Sequence, residues 1–189
     1  MTATTRSLLR DYLRAKDENR VLFLRRGFAP DVSLIMGLNT DEISFPAQSL
    51  GVDAVAETLA VRFNQTYENI FTFYLALPPD DATTEAFHCG WMVGMTEKAT
   101  GNVRVGCGTY EWLFDLEPYR VKGLRIIIEH MRNLPSSDAD AVFDWLLAAP
   151  YPFADPRALA ATIPAIDALS PVRTFLAGQP VLASRSTTQ

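Results

Sequence analysis

His88 and Tyr110 are the residues of this chain best suited to moving a proton. His88 is one of only two histidines, and it stands inside "EAFHCGWMVGMTE", residues 85–97, an apolar run with the look of a strand. An imidazole with an ordinary pKa near ~6.5 exchanges its proton around neutral pH, and a tyrosine hydroxyl beside it can fix the tautomer or donate to a carbonyl. Alternation puts Ala86, His88, Gly90 and Met92 on one face of their strand, and Gly106, Gly108, Tyr110, Trp112 and Phe114 on one face of the next. A hairpin closed by "KAT", with Glu97 opposite Gly101, sets His88 directly opposite Tyr110, and a slip of two residues sets it opposite Trp112. A slip of one would separate the pair.

Gly90, Gly106 and Gly108 remove side chains beside His88, Tyr110 and Trp112. Glycine in a strand marks either a bend or a close approach by a ligand or another backbone. His88 and Tyr110 are therefore the candidate catalytic pair, with Asn69, Trp112, Gly90, Gly108 and Met92 as candidate substrate-binding positions. The competing reading makes His88 a core group with a local hydrogen-bond partner and the glycines simple bends in the sheet.

Other chemistries find little support. The two cysteines, Cys89 and Cys107, offer no disulfide framework. His88 and His130 lack any metal-ligand spacing, so no metal and no cofactor is expected. A net charge of -5 and a pI near 5.0 carry no footprint for nucleic acid. The arginines Arg6, Arg10, Arg14 and Arg20 alternate with Asp11, Asp17 and Glu18, which reads as a solvated helix face. The N-terminal stretch lacks the apolar core of a signal peptide and no run is long enough to span a membrane, so a soluble cytoplasmic protein is expected.

The elements that must position these residues follow from periodicity. "TTRSLLRDYLRAK" and "DENRVLFLRRG" read as helices, "DVSLIMGL" as a first strand, and "GVDAVAETLAVRF" as an amphipathic helix with Val52, Val55, Ala56, Leu59 and Phe63 on one side. The period then changes to two. "YENIFTFYLAL", "TEAFHCGWMVGMTE", "NVRVGCGTYEWLFD" and "YRVKGLRIIIEHM" form a meander, and Glu111, Glu129 and Arg125 are placed for cross-strand ion pairs. After Met131, "SSDADAVFDWLLA" and "DPRALAATIPAIDAL" read as short helices, the first docking on the domain through Leu134, Val142, Phe143, Leu146 and Leu147, and a frayed tail follows. The expected organisation is an α+β domain over residues 1–134 and a helical extension with a disordered tail over 135–189.

"LRRGFAPDVSLIM", "SFPAQSLGVDAVAETLAVRF" and the meander ending "GTYEWLFD…LRIIIEHM" resemble, in order and pattern, the SnoaL-like branch of the nuclear transport factor 2-like superfamily. The resemblance covers roughly residues 5–134. It implies a curved antiparallel sheet wrapped around N-terminal helices to form a cone-shaped pocket, a fold that serves isomerases, cyclases, dehydratases and non-catalytic binding proteins. Ketosteroid isomerase positions are not retained: its base falls on Met36 or Gly37, its helix tyrosine near Leu9, and its protonated aspartate near Tyr110. "FHCGWMV" is similar to the histidine strand of scytalone dehydratase, which places His88 there and Asn69 at that enzyme's second histidine.

Two function classes stay open. One is a lyase or isomerase acting on a cyclic, largely apolar molecule through His88 and Tyr110. The other is a pocket protein that binds such a molecule, or an assembly unit, without chemistry. The face bearing Phe87, Cys89, Trp91, Val93 and Met95, joined by Val105 and Leu113, is too apolar to leave in water. A homodimer through the outer face of the sheet is expected, with a small-molecule ligand as the other partner.

Overall fold

The chain folds around a six-stranded mixed sheet, seen in a computed structural model that describes residues 3–79 and 82–180. Helix α1 (Thr5–Asp17) starts at Thr4, whose hydroxyl accepts from the Ser7 N–H while Ser7 accepts from the Thr4 N–H, a reciprocal cap on the free amides of the first turn. Its buried stripe is Leu8, Leu9, Tyr12, Leu13 and Lys16. After α2 (Leu22–Gly27) comes strand β1 (Phe28–Leu38), then the short β2 (Gln48–Leu50). The amphipathic segment expected at 52–63 forms α3 (Val52–Ala56), a π-helical stretch Glu57–Val61 and α4 (Arg62–Thr66). Strands β3 (Tyr67–Tyr74), β4 (Ala86–Glu97), β5 (Val103–Leu116) and β6 (Tyr119–Leu134) complete the sheet in the order β2-β1-β6-β5-β4-β3. The meander is antiparallel as expected, but β1 runs parallel to β6, so the sheet is mixed.

The β4–β5 register decides which residues meet. Thr96 pairs with Val103 and the turn occupies residues 98–101, closed by the Glu97 N–H to Asn102 O bond at 2.8 Å and with Gly101 at φ +72°. The loop is thus one residue longer than a "KAT" closure, and the register moves by one. His88 pairs with Glu111, whereas Tyr110 pairs with Cys89. Because side chains alternate, this single step exchanges the faces of β4 relative to β5.

The concave face therefore carries Cys89, Trp91, Val93 and Met95 from β4 and Tyr110, Trp112 and Phe114 from β5, packed against α1, α3 and the π-helical stretch in one core. Here the expectation for the apolar β4 face needs correction. Cys89, Trp91, Val93 and Met95 line the inside of the cone instead of an outer interface, and their burial needs no second subunit.

The outer face is covered in part by the chain itself. Helices α5 (Ala139–Ala148), α6 (Pro156–Thr162) and α7 (Ser170–Ala177) pack Val142, Trp145, Leu146, Leu159, Val172 and Leu176 against Phe73, Leu75, Met92, Val105 and Cys107. Gly94 admits this contact, since a Cβ there would collide with Leu146. Of the docking residues expected in α5, Val142 and Leu146 are buried and Leu147 is 65% exposed. The same extension reaches the edge of β3: the Tyr74 N–H donates to Pro152 O at 2.8 Å and the Ala154 N–H to Tyr74 O at 3.0 Å, with Phe153 pairing parallel to Tyr74. The expected tail, residues 183–189, lies outside the described residues.

Candidate functional site

The interior of the cone contains a cavity of about 40 Å³, walled mainly by apolar side chains of the sheet and helices. Its polar lining comes from Tyr12, Lys16, Thr72, Trp91 and Tyr110, and three methionines, Met36, Met95 and Met131, share the wall. The glycines of the concave face explain part of this shape. Trp91 lies across from Gly108, where a Cβ would meet its ring edge at 3.0 Å as well as the Ile127 carbonyl, and Gly106 leaves room for Met131.

Lys16 is the unexpected member. Burying an ammonium among apolar groups is costly unless it is paired and hydrogen-bonded, and both conditions hold. Nζ donates to Asp17 Oδ1 at 2.6 Å and to Thr72 Oγ1 at 2.7 Å, and it lies 4.7 Å from the centre of the Phe63 ring. The lysine and aspartate side chains are 6% and 1% exposed. Asp17 is held in turn by the Thr72 N–H at 2.8 Å, the Thr72 hydroxyl at 2.9 Å and the Tyr151 hydroxyl at 3.2 Å. Tyr151 follows α5, so the extension reaches through the carboxylate to the ammonium.

The tyrosines form the opposite side of the polar lining. The hydroxyls of Tyr12 and Tyr110 lie 3.5 Å apart and share a hydrogen bond. Tyr110 stacks on Trp91 with ring centres 5.5 Å apart and meets Trp112 edge-on at 5.6 Å. Tyr74 closes the cluster by donating to Leu9 O at 2.8 Å. Burial pushes the phenols of Tyr12, Tyr74 and Tyr110 above the usual tyrosine range. These groups keep their protons at neutral pH and act as donors or acceptors of hydrogen bonds, not as bases. The indole N–H groups of Trp91 and Trp112 are buried, and among the described residues no group accepts from them.

The expected site residues divide between the two faces. Tyr110 lines the cavity. Trp112 shares its face and is fully buried in the aromatic cluster behind the cavity. Gly108 backs onto Ile127 and Trp91. His88 is exposed on the outer face, in an open cleft of about 460 Å³ with Thr109, Glu111 and Gln179. The anticipated His88–Tyr110 pair is therefore corrected: the sheet stands between the two side chains. Gly90 lies under Gln179 and Leu75, and Met92 is buried beneath the C-terminal helices. Asn69, with φ +50°, occupies a bulge in β3, exposed, and bonds Thr96 Oγ1 at 3.3 Å. Asparagine tolerates this left-handed conformation better than most residues, which accounts for it there without a ligand. The cross-strand pair expected on the outer face is present, with Arg125 Nη1 and Glu111 Oε2 3.8 Å apart.

Lys16 and Asp17 escaped the sequence reading because their neighbours alternate in charge. The available signal was position: Lys16 follows Leu9 and Tyr12 along the buried stripe of α1.

No family model and no curated protein matches the sequence. Solved structures do match the fold. An NTF2-like protein from Burkholderia thailandensis is 12% identical, with 67% of this chain and 92% of that one covered and a TM-score of 0.53. LinA is 9% identical, with coverages of 68% and 86% and a TM-score of 0.54. A Catenulispora acidiphila protein of ketosteroid isomerase-like fold, crystallised with trimethylamine, is 12% identical, with coverages of 66% and 85% and a TM-score of 0.51. The chain has the nuclear transport factor 2-like α+β cone fold. Among the described residues no helix is long and apolar enough to cross a membrane.

Proposed function

We propose that the protein binds a small, largely apolar molecule inside the cone, with Lys16, Trp91 and Tyr110 as its polar contacts. The buried Lys16–Asp17–Thr72 network carries this reading. An ion pair at the wall of an apolar cavity contributes less to stability than well-packed hydrophobic side chains of the same volume, so its presence is better explained by recognition than by packing. The methionines supply the adaptability that a cavity of about 40 Å³ needs to admit a ligand, because their unbranched side chains repack easily.

Binding is favoured over proton abstraction on a specific ground. Among the described residues the cavity lining contains no histidine and no carboxylate, and its tyrosines are held protonated. A lyase or isomerase mechanism needs a base at the substrate, and His88 lies on the far side of the sheet. The reading is tested by titrating small cyclic ketones and hydrocarbons while following tryptophan fluorescence and melting temperature. Saturable quenching that disappears in Met131→Trp, a variant that fills the cavity, is the expected result. Quenching retained in that variant would move the binding site out of the cone.

A further inference from the structure

We infer that the cavity selects an uncharged hydrogen-bond acceptor, a carbonyl oxygen on a small apolar ring, over both a hydrocarbon and a carboxylate. The inference rests on the proposed binding function and specifies its ligand.

Thr72 Oγ1 gives its proton to Asp17 and accepts from Lys16, so its hydrogen is committed. An ammonium has three N–H donors, and two of those of Lys16 are engaged, at Asp17 and Thr72, leaving one. The Tyr12 and Tyr110 hydroxyls share one hydrogen bond, which uses one proton and leaves the other. The Trp91 indole N–H has no acceptor among the described residues although the residue is only 4% exposed. The wall therefore keeps unpartnered donors beside the spare lone pairs of hydroxyl oxygens that already make a hydrogen bond, and a buried donor without a partner is costly. An entering group that supplies acceptor lone pairs relieves that cost; a hydrocarbon does not.

Among the described residues Lys16 is the only charged side chain lining the cavity, and it already faces the Asp17 carboxylate at 2.6 Å. A neutral acceptor leaves this balance intact. A carboxylate would bring a second negative charge to one ammonium in an apolar enclosure, where an unpaired charge is strongly disfavoured. The donors thus argue for an acceptor, and the charge balance argues for an uncharged one.

Three probes of similar size separate these effects: cyclopentanone, methylenecyclopentane, which replaces the carbonyl oxygen by CH2, and cyclopentanecarboxylate. Each is titrated into the full chain labelled with 15N, and the Trp91 indole N–H resonance, assigned with Trp91→Phe, is followed. Cyclopentanone should move that resonance downfield in a saturable way and bind about tenfold more tightly than either other probe. Trp91→Phe, which keeps a ring and removes the donor, should narrow the preference for cyclopentanone over methylenecyclopentane several-fold, a ratio that cancels the change in cavity size common to both probes.

Equal binding of ketone and alkene would overturn the role of the donors, and binding of the carboxylate as tight as that of the ketone would overturn the charge argument. Both results leave the pocket reading intact. Failure of all three probes to perturb any resonance of a cavity residue would overturn the pocket reading together with this inference. The relative affinities of the three probes in the wild type, read from any shifting resonance, decide these points even if Trp91→Phe does not fold.

Discussion

Replacing Lys16 by methionine keeps most of the length of the side chain and removes its charge, leaving Asp17 buried without its counterion. At the observed separation of 2.6 Å the pair's attraction is about 6 kcal/mol for an effective dielectric near 20. Most of that is offset by the ammonium's own desolvation, which the variant no longer suffers. Breaking a buried pair from one side costs about 3–5 kcal/mol. Asp17 retains the Thr72 N–H, the Thr72 hydroxyl and the Tyr151 hydroxyl, so the lower end, about 3 kcal/mol, is expected. For a chain of this size that corresponds to a fall in Tm of roughly 6–12 °C.

Urea denaturation of the wild type, Lys16→Met, Asp17→Asn and the double variant forms a complete cycle. Each single change should be strongly destabilising, and the double should cost clearly less than their sum, because each single change strands a partner that the double removes. Additivity within about 0.5 kcal/mol would refute the coupling. It would mean that the ammonium and carboxylate are not mutually dependent, and Lys16 would lose its standing as the centre of the site.

Other consequences follow from the two faces of the sheet. His88→Ala should change stability by less than about 0.5 kcal/mol and leave ligand-induced quenching unaltered, as befits an exposed outer residue; a lost ligand response would return His88 to the site. Gly94→Ala should cost about 1–3 kcal/mol in chemical denaturation, because the new Cβ displaces the buried Leu146, whereas an unchanged midpoint would show that α5 does not need that close approach. The Glu97 carboxyl is held below its ordinary value of 4.5, chiefly by the Thr100 hydroxyl and then by Arg104. A depressed carboxyl pKa stabilises the fold above the unfolded value, and that contribution is lost as pH falls through the folded one. Between pH 6 and 3 the Tm of the wild type should therefore drop further than that of Glu97→Gln, and parallel curves would exclude this carboxyl as a source of acid sensitivity.

Much of the scaffold was legible in the sequence. The α1 stripe, the amphipathic segment after Gly51 and the four long strands follow from periodicity, which records which residues share a face. Periodicity does not record which face is inside. That depended on the turn between β4 and β5, where Gly101 belongs to the loop and shifts the pairing by one. The unbroken apolar set Cys89, Trp91, Val93 and Met95 carried the correct hint, since it suits the interior of a cone better than a surface. Tyr110 was found because its strand's own alternation was right, and His88 was misplaced because its relation to Tyr110 hung on the turn alone. Lys16 illustrates a different limit. A lysine in a helix reads as solvated unless its partner is known, and Thr72 is 56 positions away.

The main-chain bonds from Pro152 and Ala154 to Tyr74 bear on how the protein behaves in concentrated solution. β3 is one border of the sheet, and an unpaired border strand offers amides and carbonyls to any extended segment of another molecule. The extension occupies these groups at the C-terminal end of β3, so a neighbouring strand cannot dock there in register. At the opposite border β2 spans only Gln48–Leu50, too short to template a long pairing. The chain thus limits edge-to-edge polymerisation by two means, and a form lacking residues 150–154 should convert to thioflavin-binding aggregates sooner than the full chain at the same fraction folded.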